Sequence, residues 1–182
     1  MRLVDLSDQF SLQRFVIDSH SSTHIDSPAH LFTSGKNVDE FDLGRFMTDA
    51  VLLDVSTRAG QAIDDEDLEA AEEAAGLALR EHESVILYTG TDASSPSAYL
   101  SQNGAEYLEF KSVGLVGIDA VNIDNPESAE MVAHRTLLAK DILVLEGLRN
   151  LHSIDDSRFT LLCFPLMVRA ATSPVRAVAI LQ

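Results

Sequence analysis

Tryptophan is absent from this sequence of 182 residues, and cysteine occurs once. A single cysteine excludes an intrachain disulfide and a zinc cage built from several thiolates. Cys163 lies in the apolar stretch 161–164, which predicts an inert buried thiol. No apolar run has the length needed to span a bilayer. The opening residues turn polar too early for a signal peptide, so we expect a cytoplasmic location and no membrane partner.

Basic residues are scarce, since 13 lysines and arginines stand against 29 aspartates and glutamates. The resulting net charge of −16 would repel nucleic acids and anionic membranes, and we expect neither as a partner. The same charge attracts divalent cations. The composition is therefore compatible with a metal site without proving one.

The pattern of apolar residues predicts short strands that alternate with helices in the middle of the chain. Helical spacing favours helices over 64–80 and about 127–139. β-Branched residues predict strands at 50–55, 85–88, 113–118, 142–145, 159–168 and 175–181. This order predicts an α/β or α+β domain with a mixed sheet. The length fits one domain over residues 1–182.

The chemistry-bearing residues are concentrated in one early segment. Three of the six histidines, His20, His24 and His30, fall within it, and Asp26 lies among them. Imidazole and carboxylate groups are the usual ligands of zinc, manganese and iron. The cluster therefore predicts a metal site. The alternative is a polar loop whose histidines make local hydrogen bonds.

The spacing of these residues predicts a sharp bend. The small polar residues at 21–23 and the proline at 28 oppose a helix. A straight strand would place His20 and His24 roughly 13 Å apart. Two ligands of one ion lie no more than about 4 Å apart. If both histidines bind one ion, the chain must bend between them, and Ser22 and Thr23 are the candidate positions.

The segment from His20 to His30 resembles the signature of the metal-dependent cyclase family, which includes bacterial kynurenine formamidase (arylformamidase) and isatin hydrolase. The family pattern is His-x-Gly-Thr-His-x-Asp-x-Pro-x-His, and Ser22 replaces its glycine. A later block is also similar, because His134 in a predicted helix precedes Glu146 at the end of a predicted strand. From the residues alone, each of these two could equally be a structural residue.

The resemblance implies a β/β/α swivelling-type fold with a mixed sheet and one or two divalent ions, zinc or manganese. The implied metal ligands are His20, His24, Asp26, His134 and Glu146. The first three would hold one ion, and Asp26 would bridge to a second ion held by the other two. His30 matches the catalytic acid/base of the family, and Thr23 would orient a ligand or cap the backbone. The resemblance also implies a small-molecule substrate and a homodimer or homotetramer.

The implied reaction is hydrolysis of a formamide-type amide bond by a metal-bound hydroxide, with His30 moving the proton. Two alternatives stay open: a hydrolase or cyclase acting on cyclic amides or lactones, and a metal-binding protein without turnover.

One departure from the family pattern bears on the substrate. The opening Asp5-Leu6-Ser7 is present, but the Trp-Pro-Gly-Asp-like segment that helps line the aryl pocket in the formamidases is missing. We treat Asp92, Asp119 and Asp124 as loop residues.

Overall fold

A computed structural model describes residues 2–5, 13–91 and 97–181 of the chain. Leu6, Ser7 and Asp92, which the sequence singled out, lie outside these ranges. The described strands are β1 (Arg2–Asp5), β2 (Gln13–Val16), β3 (His24–Asp26), β4 (Met47–Asp54), β5 (Ala62–Ile63), β6 (Ser84–Tyr88), β7 (Tyr99–Leu100), β8 (Leu115–Ile118), β9 (Leu143–Glu146), β10 (Arg158–Leu162), β11 (Thr172–Pro174) and β12 (Val178–Ile180). The described α-helices are α1 (Asp65–Ala75), α2 (Gln102–Phe110) and α3 (Val132–Leu138).

A large mixed sheet organises the described part of the chain, with strand order β11-β3-β9-β8-β6-β4-β10-β12. The four central strands β9, β8, β6 and β4 are parallel, and their outer neighbours on both sides pair antiparallel. The mixed sheet and the α/β character confirm the predicted fold class. Carboxyl ends of parallel strands meet at one sheet edge, which is where α/β folds place their ligands.

The central strands are buried on both faces, as expected for parallel strands covered from both sides. Within β6, Val85 and Leu87 pack into the core cluster that includes residues of α1, α2 and α3. Ile86 points the other way, into a second cluster with Phe159 and Cys163. Burial raises the pKa of the Cys163 thiol to about 12, which confirms the predicted buried thiol.

The predicted strands of the central sheet are confirmed, with bounds that shift by up to three residues. The predicted strand 159–168 was too long: β10 ends at Leu162, and beyond it Pro165 forms only an isolated bridge with Val175. The predicted strand 175–181 reduces to β12, while β11 lies just before it. A continuous apolar stretch does not reveal where the chain turns.

The helix predictions were right in place and wrong in length. Helix α1 ends at Ala75 rather than at residue 80, because Gly76 takes the left-handed conformation that ends helices. The predicted helix 127–139 forms only as α3. The sequence reasoning missed α2 altogether. Of the helices in the described ranges, none has the length and apolar character needed to cross a membrane. The single-domain organisation stays a prediction.

Candidate metal centre

Strand register places three of the predicted ligands, His24, Asp26 and Glu146, on one face of the sheet. His24 and Asp26 are two residues apart in β3, so both face the helices, while Ile25 joins the opposite core. Antiparallel pairing sets His24 opposite Glu146 of β9. On the other side of β3, Thr172 of β11 lies opposite Asp26. Strand pairing therefore assembles this part of the centre.

The bend predicted before His24 is confirmed at Ser22. Ser22 has a φ of 60°, and His20 precedes it in a turn rather than in a helix or strand. The carbonyl of Ser22 accepts a hydrogen bond from Nδ1 of His24 at 2.8 Å. Gly147, with a φ of 66°, packs against the same carbonyl, and a Cβ there would lie 2.9 Å from that oxygen. The turn and the end of β9 thus fix each other.

The remaining predicted histidines come from two short helical segments. His30 ends the 3₁₀ turn Pro28–His30 that follows β3, and it is half-buried. His134 lies on α3 and is 1% exposed. Its ring centroid is 5.6 Å from that of His30, and the ring of His30 is 4.8 Å from that of His20. The structure therefore brings all four histidines together.

The donor atoms of these residues converge on the two carboxylates. His20 Nε2 lies 3.4 Å from Asp26 Oδ1, and His134 Nε2 lies 3.4 Å from Asp26 Oδ2. His134 Nε2 is also 3.5 Å from Glu146 Oε1. Two groups of three have donor atoms within 4.8 Å of one another: His20, Asp26 and His30, and His24, Asp26 and Glu146. Asp26 belongs to both groups.

Among the described residues, the buried side-chain nitrogen Nε2 of His24 has no hydrogen-bond partner. His24 Nε2 lies 3.1 Å from Glu146 Oε2, yet it forms no aligned hydrogen bond there. A buried polar atom left unsatisfied is costly unless something else occupies its lone pair. Nitrogen and carboxylate oxygen donors suit a divalent metal ion. The donor set and this open nitrogen fit such an ion.

The carboxylates also set the protonation of the histidines. Burial would lower the pKa of His134, but hydrogen bonds to Asp124 and Asp26 outweigh it and raise the pKa to about 10. His24 follows the same pattern: burial opposes the charge, yet Glu146 and the carbonyl of Ser22 raise its pKa. Burial lowers the pKa of His30, and nearby positive charge on other histidines adds to this. Of the three histidines His24, His30 and His134, only His30 has its pKa shifted toward the neutral form.

Two residues that support the centre were missed or dismissed by the sequence reasoning. Thr172 is 2% exposed, donates to Asp26 Oδ1 at 2.6 Å and lies 3.2 Å from His20 Nε2. Asp124 is a loop residue, as expected, but it is buried and lies 2.6 Å from Nδ1 of His134. Thr23 donates to the carbonyl of Gly147 at 2.8 Å, a backbone contact rather than a contact with a predicted ligand.

The chain is similar to known proteins in sequence and in fold. Residues 4–125 match the profile of the family Cyclase, described as "Putative cyclase". The kynurenine formamidase of Geobacillus thermodenitrificans is 30% identical over 177 residues, which cover 94% of this chain and 80% of that protein. The kynurenine formamidase of Erythrobacter litoralis is 28% identical, with coverages of 91% and 74%. Isatin hydrolase A from Labrenzia aggregata superposes with a TM-score of 0.86 at 20% identity, covering 98% of this chain and 82% of that one. The chain belongs to the Cyclase family.

Proposed function

We propose that this protein is a metal-dependent hydrolase that cleaves a non-peptide carbon–nitrogen bond of the formamide type in a small molecule. The observation that carries the proposal is the convergence of four histidines on the buried carboxylates of Asp26 and Glu146, with the buried Nε2 of His24 left without a hydrogen-bond partner. The similarity to kynurenine formamidases supports the same reaction class.

The proposed ligands are His20, His24, Asp26, His134 and Glu146. They would hold one or two ions, of which zinc and manganese are the best candidates because both accept nitrogen and oxygen donors. A bound divalent ion polarises a carbonyl group and lowers the pKa of a coordinated water to about 7. Burial alone would raise the pKa of Asp26, but hydrogen bonds from His134 and Thr172 outweigh it and hold the pKa below the usual value, so the carboxylate stays ionised to attract the cation.

His30 is the proposed acid/base. It is half-buried, and its lowered pKa keeps the imidazole neutral, so that a ring nitrogen is available to take a proton and the imidazolium formed gives it up easily. The same residue would then return the proton to the leaving nitrogen. The donor group formed by His20, Asp26 and His30 supports a competing role, in which His30 is itself a ligand. A His30→Ala variant separates the two roles, because only a ligand is needed for metal content.

A second candidate reaction is the opening of a cyclic amide or lactone. The structural similarity to isatin hydrolase A shows a shared fold, and the same donor set would serve that reaction. A third candidate is a family member that keeps the metal but lacks turnover. The homodimer or homotetramer and the cytoplasmic location stay predictions.

Purified protein should first be tested for bound metal by elemental analysis. Turnover is then measured on N-formylkynurenine, isatin and simple lactones, with and without added Zn²⁺ or Mn²⁺. We expect metal in the protein and formamide hydrolysis that a chelator abolishes and the ion restores. Preference for isatin or a lactone would support the second candidate, and metal without any hydrolysis would support the third. Protein that binds neither ion would overturn the proposal.

A further inference from the structure

Asp124 lies in the loop that follows β8 and is 2% exposed. Its Oδ2 atom accepts a hydrogen bond from Nδ1 of His134 at 2.6 Å. The other ring nitrogen of His134 faces Asp26 and Glu146. An imidazole binds a metal through one nitrogen only if that nitrogen carries no proton, and the partner of the other nitrogen decides this.

We propose that Asp124 is a positioning residue that keeps the proton of His134 on Nδ1 and so presents Nε2 as a metal ligand. The inference rests on the proposed function. The neighbouring residue acts in the same direction, since the backbone N–H of Ile123 donates to Glu146 Oε1 at 2.7 Å. One loop thus orients two proposed ligands that come from α3 and β9.

Asp124 also has a structural role, which any test must separate from positioning. Its Oδ1 accepts from the backbone N–H of Ala133 at 2.6 Å, at the start of α3. Its Oδ2 also accepts weakly from the backbone N–H of His134, at 3.3 Å. Asparagine tests the positioning role because its one acceptor oxygen cannot serve both Ala133 and the His134 ring. If that oxygen keeps the bond to Ala133, the side-chain amide must donate to Nδ1 of His134. The ring then carries its proton on Nε2, where it blocks metal binding.

The test compares wild type, Asp124→Asn and Asp119→Asn by titrating each metal-free protein with Zn²⁺ and measuring binding calorimetrically. Asp119 is a matched control because it is another buried aspartate of the same loop, bonded to Thr89 and Gly90 instead of a proposed ligand. We expect Asp124→Asn to weaken Zn²⁺ binding about 10- to 100-fold. His134→Ala should weaken the same binding event, and Asp119→Asn should bind Zn²⁺ like wild type.

Wild-type affinity in Asp124→Asn would overturn the positioning role while leaving the proposed function intact. Absence of Zn²⁺ binding in wild type would instead overturn the proposed function, and the inference with it. If Asp124→Asn does not fold, ¹⁵N-histidine NMR of the zinc-loaded wild type decides. The His134 ring, assigned by its absence in His134→Gln, should carry its proton on Nδ1. A proton on Nε2 would overturn the inference.

Discussion

Buried carboxylates occur in two kinds of surroundings in the described part of this protein. Asp119 accepts from the backbone N–H groups of Thr89 and Gly90 and from the hydroxyl of Thr89. Glu72 accepts from the backbone of Leu79 and from the hydroxyl of Tyr107. Asp26 differs, because histidine nitrogens surround it and one neighbouring histidine has a buried nitrogen without a hydrogen-bond partner.

This difference separates acids that hold the fold together from acids that hold a ligand. Fixed N–H and O–H donors satisfy a carboxylate permanently, and removing such an acid costs stability. Histidines can release their protons and offer lone pairs to a cation. A site in which histidines surround a carboxylate can therefore exchange protons for a metal ion. Substitution of an acid in the metal centre should therefore lower metal content, whereas substitution of an acid bonded to fixed donors should lower stability.

The largest effect is expected for Asp26→Asn, because Asp26 belongs to both donor groups. Asparagine keeps the size of the side chain and removes its charge. We expect loss of bound metal, and turnover reduced at least about a hundredfold, since metal assistance contributes several kcal/mol. Elemental analysis and rate measurements check this, with Asp119→Asn as the control that keeps its metal. If Asp26→Asn kept the metal content of wild type, Asp26 would not belong to the acids that hold a ligand.

His30→Ala should lower turnover about 10²- to 10⁴-fold while metal content stays at the wild-type level, because a missing proton carrier does not remove a ligand. Rate and metal measurements on the same preparation decide the role. The exposed His152 offers a matched control, and His152→Ala should keep both properties. Loss of metal from His30→Ala would assign His30 to the ligands instead.

Glu72→Ala should cost about 1–3 kcal/mol in the free energy of unfolding, because the half-buried Tyr107 hydroxyl and the Leu79 N–H lose their acceptor. Metal content should not change. Urea denaturation measures the loss, and the neighbouring exposed Glu73→Ala should stay within about 0.5 kcal/mol of wild type. A Glu72→Ala protein that also loses metal would show that the two groups of acids are not separate.

The last prediction concerns the dependence of stability on pH. In the metal-free protein the pKa of His134 is raised to about 10. A histidine whose pKa is higher in the folded state stabilises the fold fully below its unfolded pKa, near 6.5, and this contribution is lost as the pH rises toward 10. The free energy of unfolding should therefore fall across this interval. The free energy of unfolding should fall less with pH in His134→Gln than in wild type. If it falls equally in both proteins, His134 is not the group responsible.

The sequence predicted the central strands because β-branched residues and short apolar runs are local signals. It missed α2, whose interior contains a glycine: Gly104 is required because a Cβ there would lie 2.5 Å from the carbonyl oxygen of Ile63. That reason is a tertiary contact, and no local pattern reveals it. The predicted strand 159–168 was too long for the same reason, since a local pattern of apolar residues does not show where strand pairing stops.

The early histidine cluster was recognisable from its own residue types. The distance allowed between two ligands of one ion predicted a bend at Ser22 or Thr23, and the structure places it at Ser22. His134 and Glu146 were assigned only through the family resemblance, because their approach to Asp26 depends on strand register and on the docking of α3. Thr172 gave no signal in the sequence, and no local pattern distinguished Asp124 from the other loop acids. Their importance depends on hydrogen bonds to residues 10 and 146 positions away.

The left-handed backbone at Ser22 explains why this chain can depart from the family pattern at that position. A residue with a side chain costs about 1–2 kcal/mol in this conformation, whereas glycine adopts it freely. Glycine, however, gains about 0.4–1 kcal/mol of extra freedom in the unfolded chain. The second contribution offsets only about half of the first, so serine in place of glycine costs roughly 1 kcal/mol of stability, which a folded domain can tolerate. Drift between these two residues can therefore occur while the neighbouring imidazoles stay in place.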